Sequence, residues 1–274
     1  MINFVAIDVD DTLINRDLDI TPANKLAIDK LREKDIIVTL ATGRMFRSAL
    51  PYAEELGMDL PLITYHGALI KQAQSKEVLH HCPVPMDLAT QIIRLAKDKD
   101  VQLNLYINDE LIVESENEYT DYYKSVAQVP CKVVGDLEDF LEEPPTKMTV
   151  IESPQRVERL NCEFAQFFGD ELLITQSKSH FLEITHPKAN KGEAVMLLAE
   201  MYNITMDQVL AIGDSLNDIP MIQKAGVGVA VGNARPQVKQ VADAVVSSHE
   251  ESGVAEAIEK FVLSEWGREY HGVS

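Results

Sequence analysis

The sequence predicts an α/β protein: a core built on a parallel sheet, discontinuous in the chain, with an inserted α+β module. Three observations carry this prediction. From residue 4 to about residue 67, short apolar runs alternate with helical segments. Between about Cys82 and Glu183 the runs instead alternate apolar with polar residues, as in a sheet wetted on one face. Near Asn190 the first pattern returns.

The first strand is Phe4-Val5-Ala6-Ile7-Asp8, four apolar residues in a row running into three acids, Asp8, Asp10 and Asp11. An uninterrupted apolar run suits a strand covered on both faces. Extending the strand's alternation to its end places Asp8 and Asp10 on one side and Val9 on the other. Thr21-Pro22 reads as N-cap and first helical residue, and Ala27, Ile28 and Leu31 continue at helical spacing to about Lys34. Residues 36–41 form a second apolar strand, ended by Thr42-Gly43-Arg44. The next helix closes at Leu56-Gly57, with Gly57 as C-cap, and Pro51 is expected to kink or restart it. Pro61 to Tyr65 is a third strand, ended by His66-Gly67.

In the module, Met86 to Lys97 is an amphipathic helix, and residues 103–107 and 111–113 form a hairpin. Lys147 to Glu152 is a strand, Pro154 to Phe168 a helix, and residues 172–175 and 180–184 a second hairpin. Pro83, Pro85 and Pro187 flank the module, as at domain linkers. The predicted boundaries are 1–81 and 185–274 for the core and 82–184 for the module. Back in the core, a helix runs from about Gly192 to Tyr202, and Thr205 with Gln208 has the spacing of a capping box. Strands follow at 209–212, ended by Gly213-Asp214-Ser215, at 227–231, ended by Gly232-Asn233, and at 244–246. The last helix is expected from Val254 to about Trp266, with a loose tail over residues 267–274.

The chain has 274 residues and a formal charge of -19. A surface that acidic repels a nucleic-acid backbone, and any phosphate site in it must bring its own local cation. No apolar run is long enough to span a bilayer, so no membrane partner is expected. The first residues have no basic region before an apolar stretch, and the expectation is a cytoplasmic protein. The three cysteines, Cys82, Cys131 and Cys162, are far apart and form no CxxC pair, which fits a reducing compartment. His80-His81-Cys82 admits a metal site or a solvated strand end.

Ligands of open parallel sheets bind beyond the carboxyl ends of the strands. That rule gathers Asp8, Asp10, Thr42, Gly43, His66, Gly67, Asp214 and Asn233. Taken singly, each admits a plain structural reading: an acidic loop, a turn, a solvated lysine. Taken together, Asp8, Asp10 and Asp214 offer only oxygen ligands, which suits Mg²⁺. Thr42 offers a hydroxyl, and Lys191, at the head of the helix after the insertion, offers the local cation.

Asp8-Val9-Asp10-Asp11-Thr12-Leu13, Ala41-Thr42-Gly43-Arg44, Asn190-Lys191-Gly192 and Gly213-Asp214-Ser215-Leu216-Asn217-Asp218 resemble, in order, the four motifs of the haloacid dehalogenase superfamily. The insertion, by its position and size, is similar to the large α/β cap of the Cof-type sugar-phosphatase branch. The resemblance implies a Rossmann-like core with an inserted α+β cap that sets substrate specificity. It implies a Mg²⁺-dependent hydrolase of small phosphomonoesters working through an aspartyl-phosphate. Asp8 is then the nucleophile and Asp10 the general acid and base. Asp8, the Asp10 carbonyl and Asp214 hold the metal. Thr42, the Val9 and Gly43 amides, Lys191 and Asn217 hold the phosphoryl oxygens. Asp218 supports Lys191 or a metal-bound water.

Sugar phosphates are the leading substrate class, followed by flavin and pyridoxal phosphates. A phosphosugar mutase and a non-catalytic phospholigand-binding protein are the alternatives. Related sequences read Asn-Gly where this chain has His66-Gly67, so His66 is either a substrate contact or a turn residue replacing Asn. Arg44, Lys188 and His180, the last on the hairpin from Ser177 to Glu183, are candidate substrate contacts. The sequence sets no oligomeric state.

Overall fold

The computed structural model describes residues 1–57, 59–127 and 129–264. In chain order the elements are β1 Phe4–Ile7, α1 Pro22–Arg32, β2 Ile37–Leu40, α2 Phe46–Glu55, β3 Pro61–Thr64, β4 Leu69–Gln72 and β5 Val78–His81. Then come α3 Met86–Asp98, β6 Gln102–Ile107, β7 Glu110–Val113, α4 Glu118–Ala127, β8 Cys131–Val133, α5 Leu137–Phe140, β9 Lys147–Ile151, α6 Pro154–Phe168, β10 Leu173–Lys178 and β11 Phe181–Thr185. The chain continues with α7 Lys191–Met201, β12 Val209–Gly213, α8 Ile219–Lys224, β13 Val227–Ala230, α9 Pro236–Val241, β14 Ala244–Val245 and α10 Gly253–Ile258.

Two compact units result. The core unit comprises Met1–Gly43, Ala49–Leu79 and the chain from Asn190 onward, and the cap unit comprises Arg44–Ser48 and His80–Ala189. The division passes through α2 and β5, so the short segment after Thr42-Gly43 belongs with the cap unit.

The core sheet runs β14-β13-β12-β1-β2, all parallel. The β1 run is wholly buried, as its uninterrupted apolar sequence demands. One face packs Phe4, Ala6, Val209 and Ala211 against Val195 and Leu198 of α7. A single parallel bridge, Ala41 to Ile63, carries the sheet on to β3. From there β3 pairs antiparallel with β4, in a three-stranded sheet completed by β5. Neither β4 nor β5 is visible as a strand in the sequence reading, because each has only four residues and no clean alternation.

Thr21 caps α1 by accepting from the Asn24 amide, and Pro22 opens the helix. The α2 helix continues through Pro51 as one element, so Pro51 does not restart it. Thr205 and Gln208 do form the reciprocal capping box.

The cap unit is a six-stranded sheet, β10-β11-β9-β6-β7-β8, in which only β7 and β8 are parallel. Asn108 and Asp109, both at positive φ, make the tight turn between β6 and β7. Leu103, Leu105, Met148, Val150, Leu182 and Ile184 line the apolar face and pack on α3 and α6. Their alternates Asn104, Tyr106, Lys147, Thr149 and Glu183 occupy the other face. There Lys147 and Glu183 form a buried ion pair at 2.7 Å. The polar stretch from residue 114 to 140 hides α4, β8 and α5 from periodicity. The end of the last predicted helix and the tail lie outside the described residues. Among the described residues no helix is long and apolar enough to cross a membrane.

Candidate active site

The end of β1 departs from simple alternation. The strand stops at Ile7, and residues 9–13 coil into a turn closed by the Ile14 amide donating to the Val9 carbonyl at 3.1 Å. Asp10 lies at φ −71°, ψ 130° and Asp11 at φ 57°. The relative placement of Asp8 and Asp10 is therefore a property of this turn, not of a strand pleat. Asp8 is buried, Asp10 half-buried and Asp11 exposed.

Lys191, 1% exposed, is the hinge of the site. Its Nζ donates to Asp8 Oδ1 at 2.5 Å and to Asp218 Oδ1 at 2.6 Å. Asn190 caps α7 by accepting from the Glu193 amide, which fixes the helix end from which Lys191 projects. Asp218 Oδ2 accepts from the amides of Asp214 and Ser215, at 3.0 and 2.9 Å. Both Asp218 oxygens thus have partners within the protein. Gly213 permits this loop, because a Cβ there would stand 2.5 Å from the Asp218 carboxylate carbon.

Asp214 follows β12. Its Oδ1 accepts from Thr12 at 3.3 Å, and its Oδ2 accepts from Ser215 Oγ at 3.3 Å. Thr12 of the first motif carries a structural role. Its hydroxyl ties that turn to the strand β12 end, and a Thr closing an acidic turn gives no distinctive sequence signal. Asn233 is a brace: its Nδ2 donates to the Asp11 carbonyl at 2.7 Å and its Oδ1 accepts from the His249 amide at 3.0 Å.

Thr42, 1% exposed, donates its amide to the Ile63 carbonyl at 2.8 Å and accepts at its own carbonyl from the His66 amide at 3.0 Å. His66 is 9% exposed and in left-handed backbone, φ 59°. Its ring lies against Gly43 and its Nδ1 is 3.1 Å from Asn217 Nδ2. Arg44 is half-buried and belongs to the cap unit, as do Lys188 and His180, whose Nδ1 donates to the Glu152 carbonyl at 2.9 Å. Tyr122 packs edge-on to the His180 ring at 6.0 Å.

Oxygens of Asp8, Asp214 and Asp218 all lie within 4.8 Å of one another. Burial raises the Asp8 pKa well above the ordinary carboxylate value, with Asp218 and Asp214 adding repulsion that Lys191 only partly offsets. Asp214 is pushed up to about 7 by burial and then by Asp218. Burial opposes the Lys191 charge, but Asp218 and Asp8 outweigh it and raise its pKa, so it stays an ammonium. With all three carboxylates ionised, as metal ligation and nucleophilic attack require, one ammonium leaves a deficit of two positive charges (three minus one), and the raised pKa values of Asp8 and Asp214 reflect it. That deficit, in an all-oxygen donor set, fits one divalent cation.

A family profile described as haloacid dehalogenase-like hydrolase matches residues 5–258. The chain is 31% identical over 268 residues to 5-amino-6-(5-phospho-D-ribitylamino)uracil phosphatase YcsE of Bacillus subtilis, covering 96% of each chain. Among solved structures it is similar to a haloacid dehalogenase-like hydrolase from Bacteroides thetaiotaomicron, with 27% identity, a TM-score of 0.88 and coverage of 95% of this chain and 99% of that one. It is likewise similar to TM0651 from Thermotoga maritima, with 30% identity, a TM-score of 0.87 and coverage of 95% and 97%. Motifs, fold and comparisons agree: the chain belongs to the haloacid dehalogenase-like hydrolases, in the Cof-type branch of phosphatases that carry a large α/β cap.

Proposed function

We propose that the protein is a Mg²⁺-dependent phosphatase that hydrolyses phosphomonoesters of small metabolites, sugar phosphates first among them, through an aspartyl-phosphate. The observation that carries this reading is the two-charge deficit around Lys191, in a site made only of oxygen donors. Asp8, the Asp10 carbonyl and Asp214 would hold Mg²⁺, which supplies charge neutralisation when one anion attacks another. Asp218 is assigned to positioning, since both its oxygens accept from Lys191 and from the Asp214 and Ser215 amides.

Lys191 holds Asp8 Oδ1. The other oxygen, Oδ2, then attacks phosphorus, and the bond from phosphorus to the ester oxygen breaks. Asp10 gives its proton to that leaving oxygen, then takes one from the water that attacks the aspartyl-phosphate. The products are an alcohol, inorganic phosphate and the restored Asp8 carboxylate. Thr42, the Val9 and Gly43 amides, Asn217 and Lys191 steady the phosphoryl oxygens as charge builds on them.

The substrate class rests on the family branch and on relatives. YcsE is named for a substrate whose phosphate sits on a ribityl chain. A polyol phosphate of that kind offers hydroxyls to a polar cap. The division into residues 1–81 and 185–274 as catalytic core, and 82–184 as the cap that selects the leaving group, belongs to the same reading.

The experiment is a phosphate-release screen over sugar, nucleotide and cofactor phosphates with Mg²⁺, repeated with EDTA. Release from a sugar phosphate that EDTA abolishes and Mg²⁺ restores is the expected result. Isomerisation of a sugar phosphate without release would instead mark a mutase. No release from any compound would sink the phosphatase reading.

A further inference from the structure

One contact in the core unit has no part in the chemistry above. His66 Nδ1 lies 3.1 Å from Asn217 Nδ2. An amide nitrogen has only protons to offer, so the ring nitrogen accepts, and a neutral ring then keeps its proton on Nε2. The other end of the same amide, Asn217 Oδ1, is buried without a partner among the described residues. A buried carbonyl oxygen that meets no donor is costly and marks a group awaiting one.

The ring cannot drift from this contact. It is wedged on Gly43, where a Cβ would stand 2.2 Å from His66 Cε1 and 2.6 Å from Nε2. It is also held from its own backbone, whose amide donates to the Thr42 carbonyl at 3.0 Å. His66 thus joins the strand β2 end to the loop after β12 within one side chain.

Which end of Asn217 takes the orphaned position follows from which proton His66 carries. With the proton on Nε2, Asn217 turns its carbonyl oxygen to the orphaned position, and a carbonyl oxygen repels an anion. With the proton on Nδ1, the ring donates to Oδ1, the amide is turned over, and Nδ2 points where Oδ1 did. Only the second arrangement suits a phosphoryl oxygen.

Resting on the proposed phosphatase reading, we propose that His66 is a positioning residue for the phosphoryl group: it fixes the Asn217 amide so that its Nδ2 donates to a phosphoryl oxygen. Binding of the anion moves the ring proton. Nε2 releases a proton to water and Nδ1 takes one from water, so the ring stays neutral and the charge balances. Asn217 turns by half a revolution about its last side-chain bond.

The test uses the full chain with Mg²⁺, ring-¹⁵N-labelled histidine and inorganic phosphate as probe. His66 is assigned by the loss of its signals in His66→Asn. Long-range ¹H–¹⁵N spectra are expected to show His66 passing from the Nε2–H to the Nδ1–H tautomer at saturating phosphate. A His66 ring that keeps Nε2–H, or does not respond to phosphate, overturns the proposal. In kinetics, His66→Ala is expected to raise the inhibition constant for phosphate about tenfold, as for loss of one hydrogen bond to an anion.

His66→Asn supplies an amide donor and tolerates the left-handed backbone, so it is expected to stay within about threefold of the native constant. An alanine variant inhibited by phosphate as strongly as the native protein also overturns the proposal. The phosphate-release screen separates the two failures. Normal release with an unmoved His66 ring defeats this inference alone, whereas absent release defeats the phosphatase reading.

Discussion

Lys191 donates to Asp8 at 2.5 Å across 183 positions of sequence, and neither side chain is more than 4% exposed as a residue. The pair is half of a fork whose other arm reaches Asp218. One buried ammonium therefore holds two segments of the core in place while leaving the local charge negative. The first consequence concerns stability. Lys191→Met keeps the bulk and removes the charge, so Asp8 and Asp218 are left uncompensated. Urea denaturation in EDTA should show a loss of about 3–5 kcal/mol at pH 8, the scale for a broken buried pair. At pH 5 Asp8, whose pKa burial already raises, can take up a proton, and the loss should shrink. Equal losses at both pH values would contradict the charge argument.

The Asp214 carboxyl sets a second, pH-dependent expectation. Its pKa in the folded protein is about 7, above the ordinary value of 3.8. The folded state thus holds a proton that the unfolded chain releases. This group's contribution to stability is full below 3.8, falls as pH rises, and levels off above about 7. In metal-free protein, the Tm of the native chain relative to Asp214→Asn should decline between pH 4 and pH 7. Mg²⁺ needs the carboxylate, so its stabilising Tm shift should be larger at pH 8 than at pH 6. A shift that is flat across that range would remove Asp214 from the metal site.

The roles proposed for the first-motif acids differ, and so should their variants. Asp8→Asn is expected to abolish turnover while circular dichroism and Tm report a folded protein. Asp10→Asn is expected to lower kcat about 10²–10⁴-fold, the range for a missing general acid. Activity retained in Asp8→Asn, or a loss under about tenfold in Asp10→Asn, would reassign the step concerned.

Gly43→Ala tests the wedge between the strand β2 end and the His66 ring. The added methyl has no room unless the ring moves, since its nearest atom would be 2.2 Å away. Overpacking of this kind costs about 1–3 kcal/mol. The displaced ring would also lose Asn217, so KM should rise about tenfold while Tm falls by a few degrees. An unchanged KM would mean that the ring's position does not matter to binding.

Much of the fold was legible because buried parallel strands have a strong local signature. The strands β1, β2, β12 and β13 are each almost wholly buried, and each is an apolar run ended by a polar turn. The elements α4, β8 and α5 escaped because their stretch is polar and short in period, and their packing comes from the cap sheet rather than from their own pattern. The elements β4 and β5 escaped because pairing with β3, not composition, makes them strands.

By itself the sequence determined the alternation of strand and helix, the insertion, and the four acidic or basic segments placed at strand and helix ends. Local chemistry suffices for that, since each signal is written within a few residues. Tertiary structure alone decided that Lys191 forks between Asp8 and Asp218, that Thr12 reaches Asp214, and that His66 lies on Gly43 and bonds Asn217. It also set the turn that carries Asp10, which begins beyond the end of strand β1. These contacts join residues up to 202 positions apart, and side-chain reach across such separations depends on how helices and loops are docked on the sheet, which no local periodicity encodes.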